Sequence, residues 1–183
     1  MRHSIFAIVF TILFALTATA DETGAASNLI QNPDFSKTYN NPPKALYWGV
    51  NFSQKGSGVF TPGAEGGVLD LSEQSKHAAL LQELAYAPKE NGTKLELKFR
   101  FQGTVKNIAG TLHALDAAGK ELKIQGRAAK AVPSETEWKE AGAVFTIPEG
   151  TVKLRLALRA YGAGKIAFKQ VQLVEKQTVQ PEK

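Results

Sequence analysis

The chain contains no cysteine, and only three histidines occur among its 183 residues. Without cysteine it can form neither a disulfide bond nor a Cys-ligated zinc site, and it has no thiol nucleophile. His77 and His113 are far apart in sequence and do not form the His-x-x-x-His pattern of a catalytic zinc site. The sequence also lacks the Gly-x-Ser-x-Gly turn of serine hydrolases and a phosphate-binding loop. We therefore predict that the chain is not an enzyme.

Long apolar runs are absent apart from one, at residues 5–16. This run follows the basic residues Arg2 and His3 and ends near Ala18-Thr19-Ala20, where two small residues flank a third position. That arrangement is typical of a cleaved secretory signal peptide over residues 1–20. The run is shorter than the ~20 residues that a membrane-spanning helix needs. We therefore expect a secreted or periplasmic protein without a membrane span.

No block of like charges is present, although the chain carries 22 Lys and Arg residues against 17 Asp and Glu residues. Because the basic residues are spread along the chain, nothing resembles a nucleic-acid-binding tail, and no nucleic acid partner is expected. We predict a linker over residues 21–27 and a flexible polar tail over residues 176–183. Residues 28–175 are long enough for one domain with a substantial core, which we expect to be a monomer.

Strand patterns dominate the rest of the sequence. In "KLELKFRF" (94–101) and "VKLRLALRAY" (152–161) apolar and polar residues alternate, which is typical of a strand with one buried face, and Val152 begins the second apolar row. Residues 72–87 also fit a helix, but we favour a strand over 79–84. With turn residues between the segments, the pattern predicts an all-β jelly-roll sandwich of two antiparallel sheets. Further strands are predicted at 46–52, 58–60, 68–71, 78–84, 109–115, 121–128 and 139–145.

The last strand, "KIAFKQVQLVE", changes phase along its length. Ile166 and Phe168 share one parity, whereas Val171 and Leu173 have the other. One extra residue in the strand shifts every following side chain to the opposite face. We therefore predict a β-bulge near Lys169-Gln170.

Several segments, taken in order, resemble the CenC-type carbohydrate-binding modules. These segments are "NLIQNPDF", "LYWGV", "SETEWKEAGAVFTIPEG" and "GKIAFKQVQLVE", so the resemblance extends from residue 28 to residue 175. It implies a galactose-binding-like jelly roll that binds a polysaccharide or oligosaccharide without catalysis, here as a stand-alone module. Members often have acids after the opening Phe and in the last strand that hold a structural calcium. This sequence has Ser36 and Lys169-Gln170 there, so we disfavour calcium and expect no cofactor.

In this architecture the opening stretch "NLIQNPDFS" is expected to be an edge strand beside the closing strand. Leu29 and Phe35 are then predicted to enter the core. Asn32-Pro33-Asp34 is expected to form the turn between them, since Asn and Asp bond to nearby backbone and Pro fixes its own φ.

Candidate ligand-binding residues come from aromatic and basic positions on the outward faces of strands. Tyr161 continues the polar row of Lys153, Arg155 and Arg159, and a second polar row includes Lys98. If the two strands were neighbours in one sheet, their outer face would be basic and would favour anionic glycans; the alternative is an ordinary solvated face. His113, on a strand among apolar neighbours, fits a packing role better than a ligand contact but stays in the candidate set. The candidate set is Tyr47, Arg100, Gln102, His113, Arg155, Arg159 and Tyr161.

Two other functions remain open. The first is a structural or adhesive module of the cell envelope that binds protein on the same fold, which a flat apolar patch would support. The second is a small polysaccharide-acting enzyme, which would need two carboxylates about 5–10 Å apart in one groove. Asp70, Glu83 and Glu96 lie on predicted strands, but the sequence does not pair them.

Overall fold

The computed structural model describes residues 27–176. The predicted signal peptide, the linker up to residue 26 and the tail from residue 177 lie outside the described residues. No helix long and apolar enough to cross a membrane is present in the described part. The strands are β1 (Thr38–Tyr39), β2 (Lys44–Ala45), β3 (Gly49–Phe52), β4 (Gly58–Gly63), β5 (Gly66–Leu71), β6 (His77–Ala85), β7 (Lys94–Gly103), β8 (Asn107–Leu115), β9 (Glu121–Leu122), β10 (Gln125–Gly126), β11 (Ala129–Ala131), β12 (Lys139–Thr146), β13 (Lys153–Tyr161) and β14 (Gly164–Glu175).

Two antiparallel six-stranded sheets make up the fold, together with the small pair β1-β2. Sheet 1 has the order β10-β12-β7-β14-β5-β4, and sheet 2 has the order β11-β8-β13-β6-β3 with β9 paired to β8. The alternating sequences place one row of each central strand between the sheets. Phe99, Phe101 and Phe168 from sheet 1 and Leu156 and Leu158 from sheet 2 are fully buried there. Burial of these and the other core side chains is the main source of stability in a chain without disulfides.

The structure corrects several predicted boundaries. The segment at 72–87 is a strand, β6, so the helical alternative is wrong. The strand predicted at 46–52 begins only at Gly49, because Leu46 and Tyr47 form a turn. The strand predicted at 121–128 is divided into β9 and β10. Val152 precedes β13 and is 45% exposed rather than buried, although its backbone still pairs with Tyr86 and Leu115 on either side.

The opening stretch lies beside β14, as predicted, but it pairs mainly through one side chain. Asn28 Oδ1 accepts hydrogen bonds from the amides of Ile30 (3.1 Å) and Leu173 (2.9 Å), and Asn28 Nδ2 donates to the Val171 carbonyl (3.0 Å). The Leu29 amide donates to the Leu173 carbonyl (2.9 Å). The stretch forms no regular strand, and Ile30 is buried more completely than the half-buried Leu29.

The turn within this stretch contains the buried Asn32. Both Asn32 (φ 52°) and Phe35 (φ 60°) have left-handed backbone conformations, and Phe35 is fully buried, as predicted. Asn32 Nδ2 donates to the carbonyls of Lys37 (2.9 Å) and Leu46 (3.1 Å), and Asn32 Oδ1 accepts from the Lys37 amide (2.9 Å). The indole of Trp48 packs 4.6 Å from the Phe35 ring and donates to the Asn32 carbonyl at 3.0 Å.

The predicted β-bulge in the last strand is confirmed. The pairing of β14 with β7 shifts register between Lys169 and Gln172, and Gln170 has a φ of 52°. The Gln170 amide donates to Asp34 Oδ1 (3.0 Å), and the Val171 amide donates to the Pro33 carbonyl (3.1 Å). The bulge therefore turns backbone donors toward the opening stretch, where they join the two ends of the domain.

We expect Asn32→Ala to lower the free energy of unfolding by about 3 kcal/mol, because it removes three hydrogen bonds and leaves alanine at a left-handed φ. Urea unfolding followed by tryptophan fluorescence measures this change. Asn40→Ala is the matched control, since Asn40 is exposed and also has a positive φ of 68°. The control should lose only about 1 kcal/mol. Equal losses would show that backbone strain, rather than the hydrogen bonds, accounts for the effect.

Candidate functional site

The outer surface of sheet 2, here called the β13 face, brings together most of the polar side chains of interest. Alternation along β13 buries Leu154, Leu156 and Leu158 and turns Arg155, Ala157, Arg159 and Tyr161 outward. Strands β8 and β6 each pair with β13 over nine residues. The resulting cross-strand rows are His113–Arg155–Glu83, Thr111–Ala157–Leu81, Ala109–Arg159–Ala79 and Asn107–Tyr161–His77.

A shallow trough of about 220 Å³ lies along the middle of this face. Its floor is low because small side chains, Ala79 and Ala157, occupy adjacent strands. Polar side chains surround the floor, so the trough offers hydrogen-bonding groups around an apolar base. The lining residues are Asn51, His77, Ala79, Leu81, His113, Glu121, Arg155, Ala157 and Arg159.

One end of the trough is closed by paired charges. Arg155 Nε and Nη2 donate to Glu83 Oε1 at 2.9 and 2.6 Å, and Lys153 Nζ donates to Glu83 Oε2 at 3.1 Å. The hydrogen bonds from Arg155, followed by those from Lys153, hold the pKa of the Glu83 carboxyl below its ordinary value. Beside them, His113 Nδ1 lies 2.7 Å from Glu121 Oε1. These charges are largely matched within the protein.

At the opposite end of the trough, His77 is the neighbour of Tyr161, which lines a separate, larger cleft of about 840 Å³. The half-buried Tyr161 ring lies 6.1 Å from the His77 ring, with an angle of 42° between their planes. The buried side chain of Ile108 contributes to the apolar base of this cleft. The lining residues are Lys76, Lys106, Asn107, Ile108, Ala109, Lys130, Ala131, Val132, Tyr161 and Gly162.

Four of the seven residues predicted from the sequence therefore share the β13 face: His113, Arg155, Arg159 and Tyr161. They differ in availability. Arg155 and His113 already have carboxylate partners, whereas Arg159 forms no ion pair with any residue of the described range. Tyr161 is accessible from the cleft. Arg159 and Tyr161 are thus the members of the predicted set that are best placed to meet a ligand.

Arg100 and Gln102 lie elsewhere, and the predicted joint basic face does not form. They belong to β7 of sheet 1, whereas Arg155 and Arg159 belong to β13 of sheet 2. The alternation that suggested both rows is correct, but the two strands are not neighbours. On sheet 1, two cationic side chains lie over the Trp138 ring: Lys169 Nζ is 3.8 Å and Arg100 Cζ is 6.0 Å from the ring centroid.

Tyr47 occupies the turn before β3, with a φ of 68° and 54% of its surface exposed. Its neighbour Trp48 is buried. The two adjacent side chains therefore differ in exposure, and both precede β3. Tyr47 lines neither the trough nor the cleft.

Sequence reasoning missed several residues that border these depressions. His77 is the cross-strand partner of Tyr161, and Asn51 pairs with Ala79 from the edge strand β3. The apolar alternation of β6 could have placed His77 outward, but nothing local indicates which strand lies beside it. The other residues missed are Lys76, Lys106, Asn107 and Lys130.

Among residues 27–176, no group of three or more His, Asp or Glu residues lies close enough to share a metal ion. At the bulge, where the family resemblance pointed to calcium ligands, Asp34 instead accepts a backbone amide.

Solved structures share this fold. The chain aligns with the enzymatically active domain of tailspike protein 4 from Bacteriophage CBA120 (TM-score 0.64, 16% identity, 81% of this chain) and spans 21% of that chain. It aligns with TmCBM61, solved with β-1,4-galactotriose, at a TM-score of 0.53 and 17% sequence identity, over 82% of this chain and 100% of that chain. It aligns also with the CBM22-1 xylan-binding domain of Paenibacillus barcinonensis Xyn10C, at a TM-score of 0.55 and 11% sequence identity, over 85% of this chain and 98% of that chain.

The fold is a jelly-roll β-sandwich. The predicted fold class is therefore confirmed. TmCBM61 and the CBM22-1 domain are carbohydrate-binding modules. At such low identity the likeness establishes the architecture alone. No protein-family model matches the sequence, and no curated protein matches it either. The resemblance to CenC-type modules therefore stays a prediction.

The paired end of the trough gives a test by titration. We expect the Glu83 carboxyl to titrate below its ordinary pKa in carbon-detected NMR, and Arg155→Ala to raise that pKa by removing its main hydrogen-bond donor. Because the folded-state pKa is lowered, the ion pairs stabilise the protein above the unfolded pKa, and this contribution is lost as pH falls through the folded value. Arg159→Ala, on the same face without contact to Glu83, should leave the midpoint in place. A shift of equal size in both variants would refute the assignment.

Proposed function

We propose that this protein binds carbohydrate, without catalysis, in the trough of the β13 face. The observation that carries the proposal is the trough itself: an alanine floor bordered by hydrogen-bonding side chains and leading to the Tyr161 ring. Sugars present apolar C–H faces and a rim of hydroxyl groups. An aromatic ring matches the former, and amide, imidazole and guanidinium groups match the latter.

Individual side chains have distinct parts in this proposal. The Tyr161 ring stacks against the C–H face of one sugar unit. His77, beside it, and Asn51, across the trough, donate and accept hydrogen bonds with hydroxyl groups. Arg159 lies between the two alanines of its row, so its guanidinium has room to reach over the floor. The neighbouring folds solved with galactotriose or named for xylan binding support a sugar as the ligand.

The absence of catalysis is proposed from the state of the carboxylates. Glycoside hydrolysis needs one carboxyl that holds a proton near neutral pH. Glu83 is paired with two cations that favour its ionised form, and Glu121 is paired with His113. Neither arrangement prepares a proton donor facing the trough.

The protein-interaction alternative has less support from the surface. No single strand contributes more than one of the large exposed apolar side chains of the described residues, and those on strands are divided among the pair β1-β2, sheet 1 and sheet 2: Tyr39, Tyr47, Val50, Val59, Val132, Val144 and Val152. Protein-binding sites more often show one contiguous apolar patch of several hundred Å².

Affinity electrophoresis against β-1,4-galactan, xylan and mixed-linkage glucan tests the proposed site. We expect at least one polymer to retard the protein and Tyr161→Ala to weaken that binding about tenfold, which corresponds to ~1.4 kcal/mol of lost contact. Arg100→Ala on sheet 1 is the control and should bind normally. Loss of binding in the Arg100 variant with normal binding by the Tyr161 variant would move the site to the opposite sheet. Failure of these three polymers and of the charged polymers tested below to bind would reject the function.

We also propose export to the periplasm or the medium through residues 1–20. Expression of the full chain in a bacterium, followed by intact-mass measurement of the exported protein, should give a chain that begins at Asp21. Replacing Ala18 and Ala20 with arginine should block the cleavage, because bulky charged residues do not fit the small-residue positions. Recovery of uncleaved protein from the cytoplasm in the parent chain would contradict export.

A further inference from the structure

The cleft at the open end of the trough is surrounded by lysines that the proposed sugar contacts do not use. Lys76 and Lys106 each stand immediately before a strand, β6 and β8, on either side of the end of β13. The Lys106 amide donates to the Tyr161 carbonyl (2.9 Å), and the Gly162 amide donates to the Lys76 carbonyl (3.2 Å). Because paired strands lie about 4.8 Å apart, the two lysine backbones stand roughly 10 Å apart across Tyr161.

A third lysine enters from the edge of the sheet. Lys130 of β11 pairs with Ala109 of β8, and Ala109 pairs in turn with Arg159 of β13. The small Ala109 therefore separates two long cationic side chains on the same face. Lys76, Lys106 and Lys130 are all exposed and line the cleft around Tyr161.

These cations lack partners, in contrast to those at the other end of the trough. Lys153 and Arg155 share the carboxylate of Glu83. Among residues 27–176, none of Lys76, Lys106, Lys130 and Arg159 has a carboxylate within 4.0 Å, and no acidic residue of that range lines the cleft. Like charges gathered around a cleft repel one another, and an anion placed between them relieves that repulsion.

We infer that the cleft around Tyr161 selects a sugar unit that carries an anionic substituent. This inference rests on the proposed carbohydrate-binding function and names its ligand class: an acidic polysaccharide bearing a carboxylate or a sulfate ester. The Tyr161 ring meets the apolar face of the sugar, and the ammonium groups of Lys106 and Lys130 approach the anionic oxygens. Lysine suits this role because its flexible stem carries a compact charge that adapts to either group.

The basic surface expected from the sequence is thus replaced by a different one. The sequence suggested Arg100 together with Arg155, but the first lies on the other sheet and the second is paired. The unpaired positive charge instead comes from Lys76, Lys106 and Lys130, which are distant in sequence and lie around the end of β13.

The test compares polymers that share one backbone and differ in charge. Polygalacturonate and its fully methyl-esterified form provide the carboxylate comparison, and a sulfated galactan and its desulfated form provide the sulfate comparison. We expect the parent protein to bind at least one charged polymer about tenfold more tightly than its uncharged counterpart. The preference should shrink as salt rises from about 0.05 M to about 0.5 M, because ions screen exposed charges.

Two double variants with the same change in net charge complete the experiment. Lys106→Gln with Lys130→Gln should reduce the ratio of charged to uncharged affinities to about one. Lys37→Gln with Lys44→Gln, which removes two exposed lysines outside the cleft, should retain the preference. An equal loss in both variants would show a general charge effect and overturn the inference. Circular dichroism and unfolding of each variant confirm that the fold is intact.

The possible outcomes separate this inference from the function on which it rests. Binding of the uncharged polymers without preference for the charged forms would leave carbohydrate binding standing and reject the anionic subsite. Equal retention by a polyphosphate chain would show recognition of charge without sugar and would also overturn the inference. Binding to no polysaccharide would reject both. Which pair shows the preference identifies carboxylate or sulfate as the group recognised.

Discussion

Strand β13 is paired in register with β6 on one side and with β8 on the other, and the candidate site depends on this double pairing. Side chains along a strand alternate between faces, so a slip of one residue would bury Arg155 and Arg159 and expose three leucines. The cost of burying unpaired guanidinium groups makes the register strongly specified. Because both neighbours share that register, His113, Ala109 and Asn107 from β8 face the same side as Glu83, Ala79 and His77 from β6.

The β13 face has two ends with opposite electrostatic character. Near the start of β13 Lys153, Arg155 and His113 each have a carboxylate partner. Near the end of β13, the lysines around Tyr161 form no ion pair with an acidic residue of the described range. Small residues between the two ends leave an open floor. A chain-like ligand lying in the trough would therefore meet neutral hydrogen-bonding groups first and positive charge at Tyr161.

The sandwich that supports this face is joined where its two ends meet. The bulge in β14 frees the amides of Gln170 and Val171 from the sheet, and the turn at Pro33-Asp34 accepts them. Asn28 supplies two further hydrogen bonds to the same strand, to the Val171 carbonyl and from the Leu173 amide. Backbone groups that a bulge leaves unpaired are costly when buried, and these hydrogen bonds satisfy them. Ser36 and Lys169-Gln170, which depart from the CenC-type pattern, led us to disfavour calcium at this junction, and that stays a prediction.

The sequence by itself determined the all-β class, the two strongly alternating strands and the bulge near Lys169, because each follows from local periodicity. The burial of Phe35 was expected from the resemblance to CenC-type modules. The sequence also placed Arg159 and Tyr161 on one outward row. Only the tertiary structure decided that β7 and β13 lie in different sheets, that Arg155 is held by Glu83, and that Lys76, Lys106 and Lys130 surround Tyr161. Strand order depends on long-range packing, and residues that are distant in the chain become neighbours only when the sheets are assembled. A binding surface built across several strands is therefore hidden from any reading of one strand at a time.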